Sequence, residues 1–138
     1  MEVGVKLGAT NLESSLLTHS RLKRMSSEAQ SSEDHVSRLA MALSIAEGAV
    51  GPDWAASRLN GELDLFSVVS GKQIRGKTLF KDDLPLWMAL VLRHQKPEDY
   101  SEWRKAMHGH WERGVQILMG KFLEEKDWLR TLNSCIPR

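Results

Sequence analysis

Residues 71–78 read GKQIRGKT, so Gly71, Gly76, Lys77 and Thr78 satisfy the phosphate-loop pattern G-x-x-x-x-G-K-[ST]. In a nucleotide site of that kind, backbone amides and the lysine hold phosphates at a junction between a buried strand and a helix. The junction needs further parallel strands and a downstream apolar strand that ends in a metal-binding aspartate. Here everything after Leu79 reads helical, and Asp82 and Asp83 precede a helix. Upstream there is room for one other short strand. The sheet cannot be built, and a nucleotide site is not expected. What remains is charge. Lys72, Arg75, Lys77 and Lys81 fall between Gly71 and Lys81 with no acidic residue among them. Such a segment can meet phosphate oxygens through side chains and amides alike.

The other reactive residue types are poorly arranged for chemistry. His108 and His110 are two apart on a helix and point to different faces, whereas helical metal pairs use a four-residue step. His94 could join one of them, but no nearby Asp or Cys completes a set. Asp82-Asp83 and Glu124-Glu125 are adjacent pairs, not the carboxylates clustered around a metal that DNA hydrolysis requires. The single cysteine, Cys135, has no internal disulfide partner. It is expected on a mobile tail that cannot orient a base against it. His110, Arg113 and Gly114 are expected to permit close helix packing rather than to contact phosphate. No catalytic residue, metal or cofactor is therefore expected. The chain has five tryptophans, which could stack on exposed bases. Trp87, Trp103 and Trp111 fall on apolar stripes and are expected in the core; Trp54 and Trp128 are left undetermined.

The elements that must position these residues follow from periodicity. Val3, Val5 and Leu7 alternate with polar or small residues, which predicts a short strand. Its outward residues would be Glu2, Gly4 and Lys6. Thr10 and Glu13 fit a capping box opening a helix to about Met25, and SSEAQSS (26–32) reads as a loop. Val36, Leu39, Ala40, Leu43 and Ala46 predict an amphipathic helix that Gly48 closes. Gly51-Pro52 marks a turn, and Leu63, Leu65, Val68 and Val69 predict extended, half-buried chain. Leu84 to Arg93 reads as a buried helix. Pro97 is expected at the first turn of a last long helix with Trp103, Met107, Trp111, Gly114, Leu118 and Phe122 on one stripe. The fold class is mainly α with minor β. A strand-helix-helix part occupies about 1–48, a short extended segment lies around 62–80, and a helical part covers about 82–132.

At 138 residues the chain is read as one domain, able to bury roughly two thirds of its unfolded surface. Net charge is +1, so only the distribution of charge can speak for a partner. No stretch approaches the roughly 18 consecutive apolar residues that a membrane helix needs. The start MEVGVKLG lacks the regions of a signal peptide. A reducing, cytoplasmic setting is expected. A strand, helix, loop and helix in the first 48 residues match a ribbon-helix-helix unit. Its lone strand must pair with a second copy, because an unpaired edge leaves backbone groups unsatisfied. A dimer or higher oligomer is expected on that ground. Glu2, Gly4 and Lys6 are a poor base-reading set, so an operator-reading repressor is the weaker interpretation.

The segments HVSRLAMALSIAEG (35–48), RGKTLFKDDLPLWMALV (75–91) and HGHWERGVQIL (108–118) resemble the DndE family, small subunits of the prokaryotic DNA phosphorothioation system. The terminal run His110, Arg113, Gly114 and Val115 carries the resemblance best. It covers about residues 10–120 in order. It departs at Lys77, where the family is often acidic. The resemblance implies an oligomeric, non-catalytic DNA-binding subunit associated with nicked duplex. Its partners would be a sulfur-transferring DndC-like subunit and an ATPase-like DndD-like subunit, which exchange a phosphate oxygen for sulfur. The runner-up function is a nickase acting before sulfur insertion. The residues expected to hold the DNA backbone are Lys6, Arg21, Lys23, Arg24, Arg38, Lys72, Arg75, Lys77 and Lys81.

Overall fold

The computed structural model describes residues 2–62 and 68–137. Helix α1 (Val3–Ala9) leads into strand β1 (Asn11–Glu13), α2 (Leu16–Ala29) and α3 (Glu33–Ala46). Strand β2 (Gln73–Arg75) runs into α4 (Gly76–Phe80) and a 3-10 turn at Lys81–Asp83. Then come α5 (Leu84–Leu92), α6 (Tyr100–Glu125) and α7 (Trp128–Ser134). Among the described residues the protein is mainly helical with one small antiparallel ribbon, in which Asn11 faces Arg75, Leu12 faces Ile74 and Glu13 faces Gln73. No helix among the described residues is long and apolar enough to cross a membrane.

The most extensive packing is between α3 and α6. Helix α6 spans 26 residues, or ~39 Å at the α-helical rise. Asp99 caps it by accepting from the Glu102 amide. Trp103, Met107, Trp111, Val115, Leu118, Met119 and Phe122 are buried along its inner stripe against Val36, Ala40 and Met41 of α3. At the crossing, a Cβ on Gly114 would lie 1.9 Å from the Ala40 carbonyl oxygen. Only a residue without a side chain lets the two backbones meet. Polar groups lock the register. Trp111 Nε1 donates to Ser37 Oγ at 3.0 Å, and His110 Nδ1 meets Ser44 Oγ at 2.8 Å. Arg113 donates to the carbonyls of Ser44, Gly48 and Ala49 at 2.7, 2.6 and 2.9 Å. These carbonyls lie in the last turn of α3 and just beyond it, where helix acceptors run short of backbone partners, although that of Ser44 also accepts from the Glu47 amide at 3.0 Å.

Several expectations from the sequence are corrected here. Residues 3–9 form a helix, not a strand. Val3 and Leu7 are four apart, so a short apolar run satisfied both periods. Tertiary contact decides: a Cβ on Gly76 would lie 2.0 Å from the Leu7 carbonyl oxygen. The strand is β1, and it pairs with β2 of the same chain, so the argument for a second copy from a lone strand falls away. No capping box forms at Thr10 and Glu13. Thr10 closes α1, and Ser15 caps α2 by accepting from the Thr18 amide. The acid that completes that cap is Glu112 of α6, buried, which accepts from the Ser15 amide and hydroxyl at 3.1 and 2.8 Å. Helix α2 runs on through Ala29 and closes at Gln30 in the left-handed region, which shortens the expected loop. Pro97 precedes α6 and is not in its first turn. Helix α5 is only half buried: Leu86 and Leu92 are 59% and 47% exposed. Hydrophobicity marked it as a helix in need of cover, but α1 and α4 cover one side alone. Leu63 and Leu65 lie outside the described residues; Val69 is 98% exposed.

The crossing predicts a sharp contrast between glycines of one helix. Gly114→Ala should cost about 3 kcal/mol or more in urea unfolding, by overpacking against backbone. Gly120→Ala, whose new methyl meets only Leu59 Cδ1 at 3.9 Å, should be neutral or stabilising by up to about 1 kcal/mol. Equal stability of the two variants would contradict so close an approach.

Candidate nucleic-acid interface

The two glycines of the GKQIRGKT segment serve the chain itself. A Cβ on Gly71 would fall 1.8 Å from the Ser14 carbonyl oxygen, as one on Gly76 would clash with Leu7. The amides that a phosphate loop would offer are also engaged. Lys72 N donates to Ser14 Oγ at 2.8 Å, and Gly76 N donates to the Thr10 carbonyl at 2.9 Å. The segment is half of an antiparallel ribbon, and its side chains, not its backbone, are what it presents outward.

The structure sorts the nine expected cations into distinct situations. Arg21 is 1% exposed. Its guanidinium donates to both Glu62 oxygens at 2.8 and 2.9 Å and to the Ser57 carbonyl at 2.5 Å. Burial alone would raise the Glu62 carboxyl. The Arg21 hydrogen bond and charge, with the Leu59 amide and Arg58, hold it below the usual carboxylate range. Arg21 fastens residues 57–62 to the bundle and is removed from any external contact. Lys72 is offset by Glu33 and Asp34 at 3.6 and 3.5 Å. Arg38 donates to the Leu79 carbonyl at 3.1 Å and ties α3 to α4. Lys23 and Arg24 are exposed in the body of α2, not at its C-terminus, and Arg24 lies 5.4 Å from the Phe122 ring centre. Lys81 is exposed beside Asp82 and Asp83, with φ 51°.

Lys6, Arg75 and Lys77 converge. Lys6, Asn11, Tyr100 and Arg104 line one shallow depression of about 470 Å³. Arg75 stands opposite Asn11 in the ribbon, and both are exposed. The stem of Lys77 lies against Gly8, its Cγ 3.4 Å from where a Cβ would be. The Lys6 ammonium sits 5.5 Å from the Tyr100 ring centre, and the Tyr100 hydroxyl is hydrogen-bonded to Thr10. Among the described residues, none of Lys6, Arg75, Lys77 and Arg104 has a carboxylate within ion-pair distance. Arg104, one of an adjacent Arg-Lys pair, is not among the cations expected from the sequence. The signal was there: residues 104 and 105 follow Trp103 and project away from the Trp103–Met107–Trp111 stripe. Lys105 and Lys96 extend the band around a neighbouring hollow that also carries Glu102.

The catalytic candidates separate. His110 is buried between Ser44 and Gln95, whose Oε1 lies 3.0 Å from its Nε2. His108 reaches the Glu13 carbonyl at 3.0 Å. No group of three or more metal-ligating side chains gathers among the described residues. Cys135 is not on a free tail: it closes α7, and burial pushes its thiol up despite Lys121 nearby. Trp103 and Trp111 are buried, Trp87 is half-buried against Phe80, and Trp128 packs on Phe122. No family model matches this sequence, and no curated protein or solved structure is similar to it.

Two consequences can be measured. Arg21→Met leaves Glu62 buried without its partner and should lower unfolding free energy by about 3–5 kcal/mol; Lys23→Ala should stay within about 0.5 kcal/mol. Burial, then the charges of Arg113 and His94, lower His110 from 6.5 to about 4. The unfolded chain therefore takes up this proton first, and stability present above pH 6.5 is lost as pH falls towards 4. The loss should be on the order of 1–3 kcal/mol. His110→Gln should flatten that decline in denaturant titrations, and an unchanged slope would place the acid sensitivity elsewhere.

Proposed function

We propose that this protein is a non-catalytic DNA-binding subunit that holds the sugar-phosphate backbone through Lys6, Arg75, Lys77 and Arg104. The observation that carries the reading is their convergence around the α1–β1 turn and the ribbon. Lys6 and Arg104 line the depression, Arg75 stands opposite its Asn11 and Lys77 lies against Gly8, so α1, β2, α4 and α6 each bring a cation without an ion-pair partner among the described residues, in a chain whose net charge is only +1. Cations so grouped displace counterions from a polyanion together, and isolated surface lysines do not. A shallow, open depression suits a backbone that passes over it; a small substrate would need enclosure. Arg75 and Lys77 are common to this group and to the segment first singled out in the sequence.

The resemblance of residues 35–48, 75–91 and 108–118 to the DndE family favours one setting for this activity, the DNA sulfur-modification assembly. There the sulfur chemistry falls to the DndC-like and DndD-like subunits, and this chain's part is to hold the DNA. The outward face of α5, with Leu86 and Leu92, and the neighbouring Val5 offer apolar surface for contact with such a partner subunit.

Replacing Lys6, Arg75, Lys77 and Arg104 together by alanine should reduce the slope of log K against log salt for duplex DNA by about three to four units. Lys23→Ala with Arg24→Ala, on α2, should leave that slope unchanged. Fluorescence anisotropy of a labelled duplex across a salt series reads both. A full slope in the fourfold variant would sink the backbone contact.

A further inference from the structure

Next to the cation-lined depression lies a second hollow of about 310 Å³, and Arg104 borders both. Its other lining groups include Trp54, Lys105, His108 and Glu13. We infer that this hollow receives one unstacked nucleotide of a DNA strand, with its base against Trp54 and its phosphate on Arg104 and Lys105. This rests on the DNA-backbone reading and extends it from duplex to unpaired strand.

Trp54 differs from the tryptophans of the core. It is half-buried, in a stretch without regular structure, and its indole makes no hydrogen bond among the described residues. Yet the loop that carries it is fixed at both ends. Val50 is buried against Gly109, where a Cβ would fall 3.1 Å from the Val50 Cγ1. The Val50 amide donates to Gln95 Oε1 at 3.1 Å, and the Trp54 amide donates to the Gly51 carbonyl at 3.2 Å. Downstream, the Ser57 amide donates to Gln116 Oε1 at 2.8 Å, and Arg21 grips the Ser57 carbonyl. An aromatic ring held in this way on the wall of a hollow offers a stacking surface without a large ordering cost.

The charges fit a nucleotide better than a bare anion. Arg104 and Lys105 are exposed on the outer face of α6, and neither has a carboxylate within ion-pair distance among the described residues. Glu13, on the outward face of β1, is among the residues that line the same hollow. An acidic residue at this rim opposes an inorganic anion, and its carboxylate is of the type that accepts hydrogen bonds from the exocyclic amine of cytosine. His108 joins β1 to α6 through the Glu13 carbonyl at 3.0 Å, which fixes the position of Glu13 relative to the two cations. The volume lies at the lower end of the small-ligand range, room for one nucleotide and too little for paired strands.

The test compares labelled blunt duplex with the same duplex bearing a short oligo-dC or oligo-dT overhang, by anisotropy on the full chain. The dC overhang should bind about tenfold tighter than the blunt end, as one stacked base contributes. Trp54→Ala should abolish that difference and leave blunt-duplex affinity and its salt slope intact. Trp54→Phe should keep part of it, and Lys105→Gln on the open helix face should lower overhang binding without altering thermal unfolding. Glu13→Ala should remove the preference for dC over dT. Loss of blunt-duplex binding with overhang binding retained would break the backbone reading alone. An overhang preference that survives in Trp54→Ala, or no preference in the parent protein, overturns the stacking site. Competition by inorganic phosphate as strong as that by dCMP overturns base recognition, and dCMP binding as tightly as the overhang overturns the strand as source.

Discussion

Where α6 crosses α3, the chain tolerates no side chain at Gly114, because the Ala40 carbonyl occupies the space a Cβ would take. The rest of the molecule depends on that contact. Once the backbones meet, Trp111 and His110 fall opposite Ser37 and Ser44, two serines seven residues apart on α3. Arg113 reaches past them to gather the carbonyls beyond the helix end. A van der Waals constraint thus sets the register, and hydrogen bonds to the serines and to the end of α3 hold it.

That register also places the functional surface. With the Trp103–Trp111 stripe turned inward, Arg104 and Lys105 must face out beside β1. Glu112, two turns further along α6, reaches Ser15 and fixes where α2 begins and hence where β1 ends. Gln95 links His110 to Val50 and so couples the buried centre to the loop that carries Trp54. The interface is therefore assembled from distant pieces of chain that share one rigid body, and a local run of basic residues explains only part of it.

Charge near a proposed contact is meaningful only after its partners are counted. Of the cations read from the sequence, Arg21 turned out to be a structural staple, Lys72 is offset by two carboxylates, and Arg38 caps a neighbouring helix. A basic residue adjacent to others in sequence carries no information about acids brought in from elsewhere. Those that remain free are the ones whose neighbours are glycines, amides and aromatic rings. Such surroundings leave the positive potential intact for an approaching polyanion.

The sequence by itself determined the helices whose periodicity was long enough to admit one answer: α3, and α6 with its inward stripe. It also identified Arg113 and Gly114 as packing residues, because a glycine on an apolar stripe has few other uses. Short segments escaped it. Five residues of alternating character at Val3–Leu7 fit either a strand or a helix, and only contact with Gly76 resolved them. The cap of α2 and the partner of Arg21 came from Glu112 and Glu62, far away in sequence, which no local pattern can supply. Which face of α5 is covered, and which cations share a side, were likewise decided by tertiary structure. Local sequence sets backbone preference through period and steric bulk, whereas burial and charge pairing depend on neighbours that meet only when the chain is folded.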